Sequence, residues 1–240
     1  MRKINVITQK ELVDSLLIQN CTAVVIDVLL ATSTITCLIE NHFQPVYAVK
    51  DNKTALDVAK KQHSPFLLLG ELNGDKIENF EYPDPTAIKK ELPEKAAIIC
   101  STNGTIAVEK AKRAKVLYAS SLLNGHRVAE QIWKQGDDSS IILICSGNAG
   151  RFSMEDFVGA GHIIDHLVNN GDYSLSDSAL LARDCFVHSK HIDFENLLVS
   201  ETADLLHRKG YEHTIQWVID HFEKMSTVPI FDGDRFIRKF

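Results

Sequence analysis

The chain has 240 residues, 45% hydrophobic and 24% charged, enough for one sizeable globular core. Its net charge is −6 and its basic residues are scattered, which argues against nucleic acid, since phosphate neutralisation needs a Lys/Arg stripe. Five cysteines, Cys21, Cys37, Cys100, Cys145 and Cys185, form no C-x-x-C pair and read as reduced thiols, three of them in or beside apolar runs.

Met1-Arg2-Lys3-Ile4 leads into no apolar leader segment. Apolar positions at helical spacing then run from Gln9 to Gln19. Ala23–Leu29 is a continuous β-branched run and predicts a strand buried on both faces. A helix over Thr32–Glu40, a strand at Val46–Val49, a helix over Lys53–Gln62 and a strand at Phe66–Leu69 follow. Residues 72–95 are the long irregular stretch of the chain.

Beyond it come a strand at Ala97–Cys100, a helix from about Thr105, a strand at Val116–Ala119, a helix over Leu122–Lys134 and a strand at Ile141–Cys145. The remainder reads as helices over Ser153–Val168, Ser174–His188, Glu195–Lys209 and Glu212–Phe222. Val228–Phe231 and Arg235–Ile237, separated by Asp232-Gly233-Asp234, fit a closing hairpin. Alternating strands and helices predict a three-layer α/β/α fold with a largely parallel sheet and a helical C-terminal third, in a single domain over residues 1–240 or two intertwined subdomains. No apolar stretch approaches the roughly 20 residues that span a bilayer, and no helix carries a strongly basic polar face. The expectation is a soluble cytoplasmic protein without membrane or nucleic-acid partners.

Ligands of parallel α/β sheets bind beyond the carboxyl ends of the strands. Four turns there carry reactive residue types. In the first, Asp27 interrupts an apolar strand, which is costly unless the carboxylate is paired or metal-bound. Thr32, Ser33 and Thr34 follow at the start of a helix, either as caps or as an oxyanion cradle. In the second, Glu71 lies just past a buried strand, within reach of a central metal.

The third turn, Ser101-Thr102-Asn103-Gly104-Thr105, offers hydroxyls and free N–H groups to an anion. The fourth runs from Ser146 to Asp156. There Gly147, Asn148 and Gly150 permit close backbone approach, Arg151 offers a fork for an oxyanion, and Ser153 with Asp156 forms a helix-start capping pair. Together these predict a phosphate-and-metal site. Mg²⁺ suits it, because that ion takes one or two carboxylates plus water and substrate oxygens, here Asp27 with Glu71 or with Glu155 and Asp156. Nucleotide-binding glycine motifs and a G-x-S-x-G elbow are lacking. His162 with His166, and His188 with His191, lack the intervening Glu of a zinc helix and read as structural or solvent-facing histidines.

The segments VVIDVLLATSTI, LLGELNG, STNGTIAVEKA with ASSLLN, and ICSGNAGRFSMEDFVGAGHI resemble the 2-phosphosulfolactate phosphatase family, as does the stretch from LLHRKGY through STVPIFDGD. The resemblance covers nearly the whole chain. It implies a three-layer α/β fold and Mg²⁺-dependent hydrolysis of 2-phosphosulfolactate to sulfolactate and phosphate, a step of coenzyme M biosynthesis in organisms that make that cofactor. It marks Asp27, Asn103, Arg151 and Asp156 as catalytic, and Asp27, Glu71 and Glu155 as metal ligands. Thr32, Ser33, Thr34, Ser101, Thr102, Gly104, Thr105, Gly147, Asn148 and Gly150 would bind phosphate and substrate. Where the family pattern has arginines this sequence has Leu30, Leu72 and Ile106. Those departures imply a changed, less anionic substrate, or a non-catalytic member that binds a small anionic metabolite. The C-terminal helices suggest a homodimer.

Overall fold

The computed structural model describes residues 1–89 and 95–239. Residues 90–94, within the long irregular stretch, lie outside the described residues. Among the described residues, eleven strands form one sheet. In chain order they are β1 (Arg2–Ile7), β2 (Thr22–Ile26), β3 (Val46–Val49), β4 (Phe66–Leu72), β5 (Asp75–Lys76), β6 (Ala96–Cys100), β7 (Val116–Ser120), β8 (Ile141–Cys145), β9 (Tyr173–Leu175), β10 (Pro229–Phe231) and β11 (Phe236–Arg238). The helices are α1 (Ala31–Glu40), α2 (Asn52–Ala59), α3 (Gly104–Ala111), α4 (Gly125–Gln135), α5 (Met154–Asn170), α6 (Asp177–His191), α7 (Glu201–Arg208) and α8 (His213–Asp220). This is an α/β architecture with a mostly parallel sheet, consistent with three layers.

The sheet consists of two parallel blocks. One is β4-β6-β3 and the other β7-β2-β8-β1-β9. Between them lies the antiparallel β10–β11 hairpin, which touches each block through one residue pair, Ile230 with Tyr118 and Phe236 with Val46. The continuous apolar run at β2 is explained by its two-sided burial. Val24 and Ile26 belong to the core beneath α4, α5 and α6, while Ala23 and Val25 belong to the core under α1 and α3.

Some expectations change. The stretch from Gln9 to Gln19 is not a helix: a single 3₁₀ turn covers Lys10–Leu12, and Leu12, Leu16 and Leu17 are exposed. Its helical spacing lacks a core to face. Arg2–Ile7, not recognised from the sequence, alternates into the core with Ile4 and Val6 and pairs with β8 and β9. The helix expected from Ser174 starts later, because Tyr173–Leu175 first adds an edge strand and Ser176 Oγ then caps α6 by accepting from Ala179 N. The helix expected over Glu195–Lys209 is broken at Ser200, whose side chain caps α7 by accepting from Ala203 N. The five cysteines are free thiols.

His162 and His166 both reach Glu223, with Nε2 to Oε1 separations of 2.9 and 2.6 Å, and so anchor the segment after α8 onto α5. Burial pushes the His162 imidazole down to about 4, and the histidines, His162 foremost, hold Glu223 down to about 2. A buried histidine that resists protonation makes the unfolded chain bind more protons than the folded one. Its contribution is intact above the ordinary value of 6.5 and lost as pH falls towards about 4. We expect denaturant unfolding to show stability falling over that window by up to about 3 kcal/mol from this group. His162→Gln should flatten the slope; an unchanged slope would refute the assignment.

Candidate active site

The carboxyl ends of β2, β4, β6 and β8 deliver all four sequence-predicted turns to one cavity of about 220 Å³. Asp27, Glu71, Glu155 and Asp156 line it, and each is at most 8% exposed. Two of the four are saturated by the protein. Glu71 Oε1 accepts from Thr102 N (2.6 Å), and its Oε2 from Thr102 Oγ1 (2.9 Å) and Gly74 N (2.8 Å). Asp156 Oδ1 accepts from Val28 N (2.9 Å) and Oδ2 from Gly147 N (3.0 Å), tying the first turn to the fourth. Asp27 receives one long bond, Ala31 N to Oδ1 at 3.3 Å. Glu155 has no hydrogen-bond partner among the described residues.

Burial, then the neighbouring Glu71, pushes Asp27 up to about 7. Asp156 is likewise raised, by burial first and then by Asp27 and Glu155. Lys10 offsets this for Asp27 only in small part, after burial, Glu71, the Ala31 N–H and Glu155. Arg151 lines the cavity but is 64% exposed and pairs with Glu201 at 3.3 Å. Lys10, buried behind the site, donates from Nζ to Asn103 Oδ1 (2.8 Å) and the Ser146 carbonyl (3.3 Å) and pairs with Glu11. Oxygen-rich, buried and short of positive charge, this donor set fits a hard divalent cation. Asp27 and Glu155 have the oxygens left free for it.

Asn103 is held by two donors, Lys10 Nζ and Ala149 N, both to Oδ1. That fixes its amide and leaves the Nδ2 donors without a protein acceptor among the described residues. Lys10 was not recognised from sequence; its link to Asn103 spans 93 positions. Thr202, Leu205 and Leu206 of α7 also line the cavity and were likewise missed.

Ser101, Thr102, Gly147 and Asn148 line the cavity as expected, whereas Thr32, Ser33, Thr34, Gly104, Thr105 and Gly150 do not. The three hydroxyls of α1 are fully buried and point at backbone carbonyls: Thr32 at Ser120 (2.5 Å), Ser33 at Val28 (2.8 Å), Thr34 at Pro83 (2.6 Å). They stitch the first turn together and are not an oxyanion cradle. Several turn amides are similarly consumed, with Thr102 N on Glu71, Thr105 N on Ser101 Oγ, and Gly147 N on Asp156. Thr105 Oγ1 donates back to the Ser101 carbonyl. Ser153 does cap α5, bonding Asp156 N at 3.3 Å.

Gly104 matters by proximity. A Cβ there would lie 2.5 Å from Asp27 Oδ2 and 2.6 Å from Ala31 Cβ. Gly104→Ala should therefore displace the Asp27 carboxylate and cost about 10²-fold in kcat/KM. Steady-state rates within threefold of the parent would contradict that coupling. Of the three positions where arginines were expected, Leu30 alone lines the cavity; Leu72 is 61% exposed and lies, like Ile106, off it.

A family model described as 2-phosphosulpholactate phosphatase matches residues 6–234. A protein of Thermotoga maritima is 35% identical over 220 residues, 91% of this chain and 92% of its own length. One from Clostridium perfringens (strain SM101 / Type A) is 33% identical over 220 residues, 90% and 88%. One from Clostridium novyi (strain NT) is 35% identical over 183 residues, 75% and 76%. All three bear the name "Probable 2-phosphosulfolactate phosphatase". With a match spanning all four site-forming turns, the chain belongs to the 2-phosphosulpholactate phosphatase family of phosphoric monoester hydrolases.

Proposed function

We propose that the protein is a Mg²⁺-dependent hydrolase of a small phosphate monoester. The observation that carries this reading is the set of four buried carboxylates lining one cavity, with Asp27 and Asp156 both raised by burial and by their carboxylate neighbours. Asp27 and Glu155 would hold the ion, with Glu71 beside them. When bound, the ion supplies charge neutralisation for the phosphoryl oxygens.

Asn103 Nδ2 and Arg151 are among the side-chain donors on this cavity that could meet those oxygens. Asp156 keeps the first and fourth turns in register through Val28 N and Gly147 N. Hydrolysis joins an oxygen of water to phosphorus, breaks the ester P–O bond and passes one proton to the departing alcohol oxygen. Net, a monoester and water become an alcohol and inorganic phosphate. The names of the relatives make 2-phosphosulfolactate the first substrate to assay, with 3-sulfolactate as product.

The experiment is phosphate release with and without Mg²⁺ from 2-phosphosulfolactate and a panel of other monoesters. Mg²⁺-dependent release from any of them supports the reading, and silence throughout overturns it. A second reading, a site respecialised for a different metabolite, is favoured by Leu30 on the cavity wall.

A further inference from the structure

We infer that His126, His162, His166 and Glu223 form a second metal site, suited to zinc and separate from the carboxylate cavity. Three imidazoles converge there on one carboxylate. His162 and His166 lie four apart on α5 and share one face of it. His126 comes from the first turn of α4. Ring centroids are 5.1 Å apart for His162 and His166, and 6.4 and 6.2 Å from those rings to His126. Glu223 enters from the segment after α8, where its N–H donates to the Leu122 carbonyl at 3.1 Å. Ligand atoms of His126, His162 and Glu223 all lie within 4.8 Å of one another. His166 Nε2 stands 2.6 Å from the same Glu223 oxygen that His162 Nε2 approaches at 2.9 Å.

A hydrogen-bonded anchor accounts for only part of this arrangement. His162 and His166 already serve Glu223; His126 makes no hydrogen bond to it, and its buried Nδ1 has no partner among the described residues. A third imidazole, partly desolvated and unpaired, costs solvation that an anchor does not offset and a metal ion does. The buried Nδ1 of His162 is unpartnered as well, so a metal taking Nε2 forfeits no hydrogen bond at that nitrogen. The fold also leaves space for this ring, since a Cβ on Gly125 would lie 2.4 Å from His162 Nδ1.

Donor chemistry selects the ion. Three imidazole nitrogens and one carboxylate oxygen make a closed four-coordinate set for Zn²⁺, whereas Mg²⁺ takes oxygen ligands. Tetrahedral bonds of about 2.0–2.1 Å set ligand atoms roughly 3.3 Å apart, so the two Nε2–Oε1 separations need to widen by about half an ångström and half-buried His126 to swing in. Entry is open, because the His166 and Glu223 side chains are 32% and 29% exposed. The ion would join α4, α5 and the segment that leads into the β10–β11 hairpin. His162 lies about 10 Å along α5 from Glu155, which keeps the two sites apart.

The test uses the full chain, freed of metal, with Zn²⁺ and Co²⁺ as probes and Asp27→Asn as the background that disables the carboxylate cavity. In that background calorimetry should still show one Zn²⁺ bound per chain, and Co²⁺ should give the intense visible bands of a tetrahedral ion. His126→Ala and His166→Ala, both at partly exposed positions, should each weaken Zn²⁺ binding by on the order of 10²-fold or more and remove those bands. Zn²⁺ should raise the Tm of the Asp27→Asn chain and not that of the chain that also carries His126→Ala. Loss of Zn²⁺ binding through Asp27→Asn alone overturns the inference, as does binding that survives His126→Ala combined with His166→Ala. Should His126→Ala not fold, His126→Gln keeps the volume without a ring nitrogen and is expected to give the same loss.

Discussion

Replacing Asp27 by Asn is expected to reduce Mg²⁺-dependent phosphate release by on the order of 10³-fold or more while raising the stability of the metal-free protein. The two effects have one cause. Asp27 is buried against Glu71 and Glu155, and its charge is disfavoured enough to raise it to about 7. A neutral amide of the same shape removes that repulsion, can keep the Ala31 N–H bond at its oxygen, and can donate to a neighbouring carboxylate. What it removes is the charged oxygen that a cation needs. Losing several kcal/mol of transition-state charge stabilisation corresponds to roughly three powers of ten in rate. Activity assays and thermal unfolding on the same preparation check both halves. Turnover within tenfold of the parent would show that Asp27 holds no essential ion.

The second large effect is the pH dependence of stabilisation by Mg²⁺. Folding raises the proton affinity of Asp27 from its ordinary 3.8 to about 7 and raises that of Asp156 as well. The folded state therefore binds more protons than the unfolded chain between those values. Stability from this source is fully present below the unfolded value and is lost as pH rises through the folded one. The metal-free cluster is thus least favourable above about pH 7, where a divalent cation meets no competing proton. At saturating Mg²⁺, about 100 times its dissociation constant, linkage gives about 2.7 kcal/mol, or roughly 5–10 °C in Tm for a chain of this size. That shift should appear at pH 8 and largely vanish at pH 5.5. A shift independent of pH would place the ion elsewhere, and Asp27→Asn should abolish the shift at pH 8.

Three of the four carboxylates lining this cavity stood out in the sequence against their local background, while Glu71 looks like an ordinary turn residue and gained weight only from the other turns. Asp27 ends an apolar strand, and Glu155 and Asp156 follow a glycine-bearing turn at the strand with the clearest pattern. Patterns of that kind are local. The role of a hydroxyl is not: Thr32, Ser33 and Thr34 look alike whether they face a ligand or a carbonyl, and the carbonyl that Thr32 meets belongs to Ser120, 88 positions away. Lys10 was obscured for the same reason, since nothing near it announces Asn103.

The same limit explains the remaining errors in the fold. Helical spacing over Gln9–Gln19 carries no information about whether a core lies opposite, and Leu16 and Leu17 face water. The two outer arginine positions show it as well, because the motif alone does not tell that Leu72 and Ile106 sit off the cavity while Leu30 lines it.

The β10–β11 hairpin has a kinetic consequence. It is inserted beside β3, which precedes it by most of the residues described: Arg238 N donates to Gln44 Oε1 across 194 positions, and Arg235 reaches the Tyr47 hydroxyl across 188. During synthesis each block can assemble its own parallel pairs, yet the seam between them stays open until residues 229–238 emerge. Until then β3 and β7 present bare edges, the kind of surface that recruits other chains. High contact order of this sort slows folding, and places the interval of greatest aggregation risk after residues 1–228 have been made.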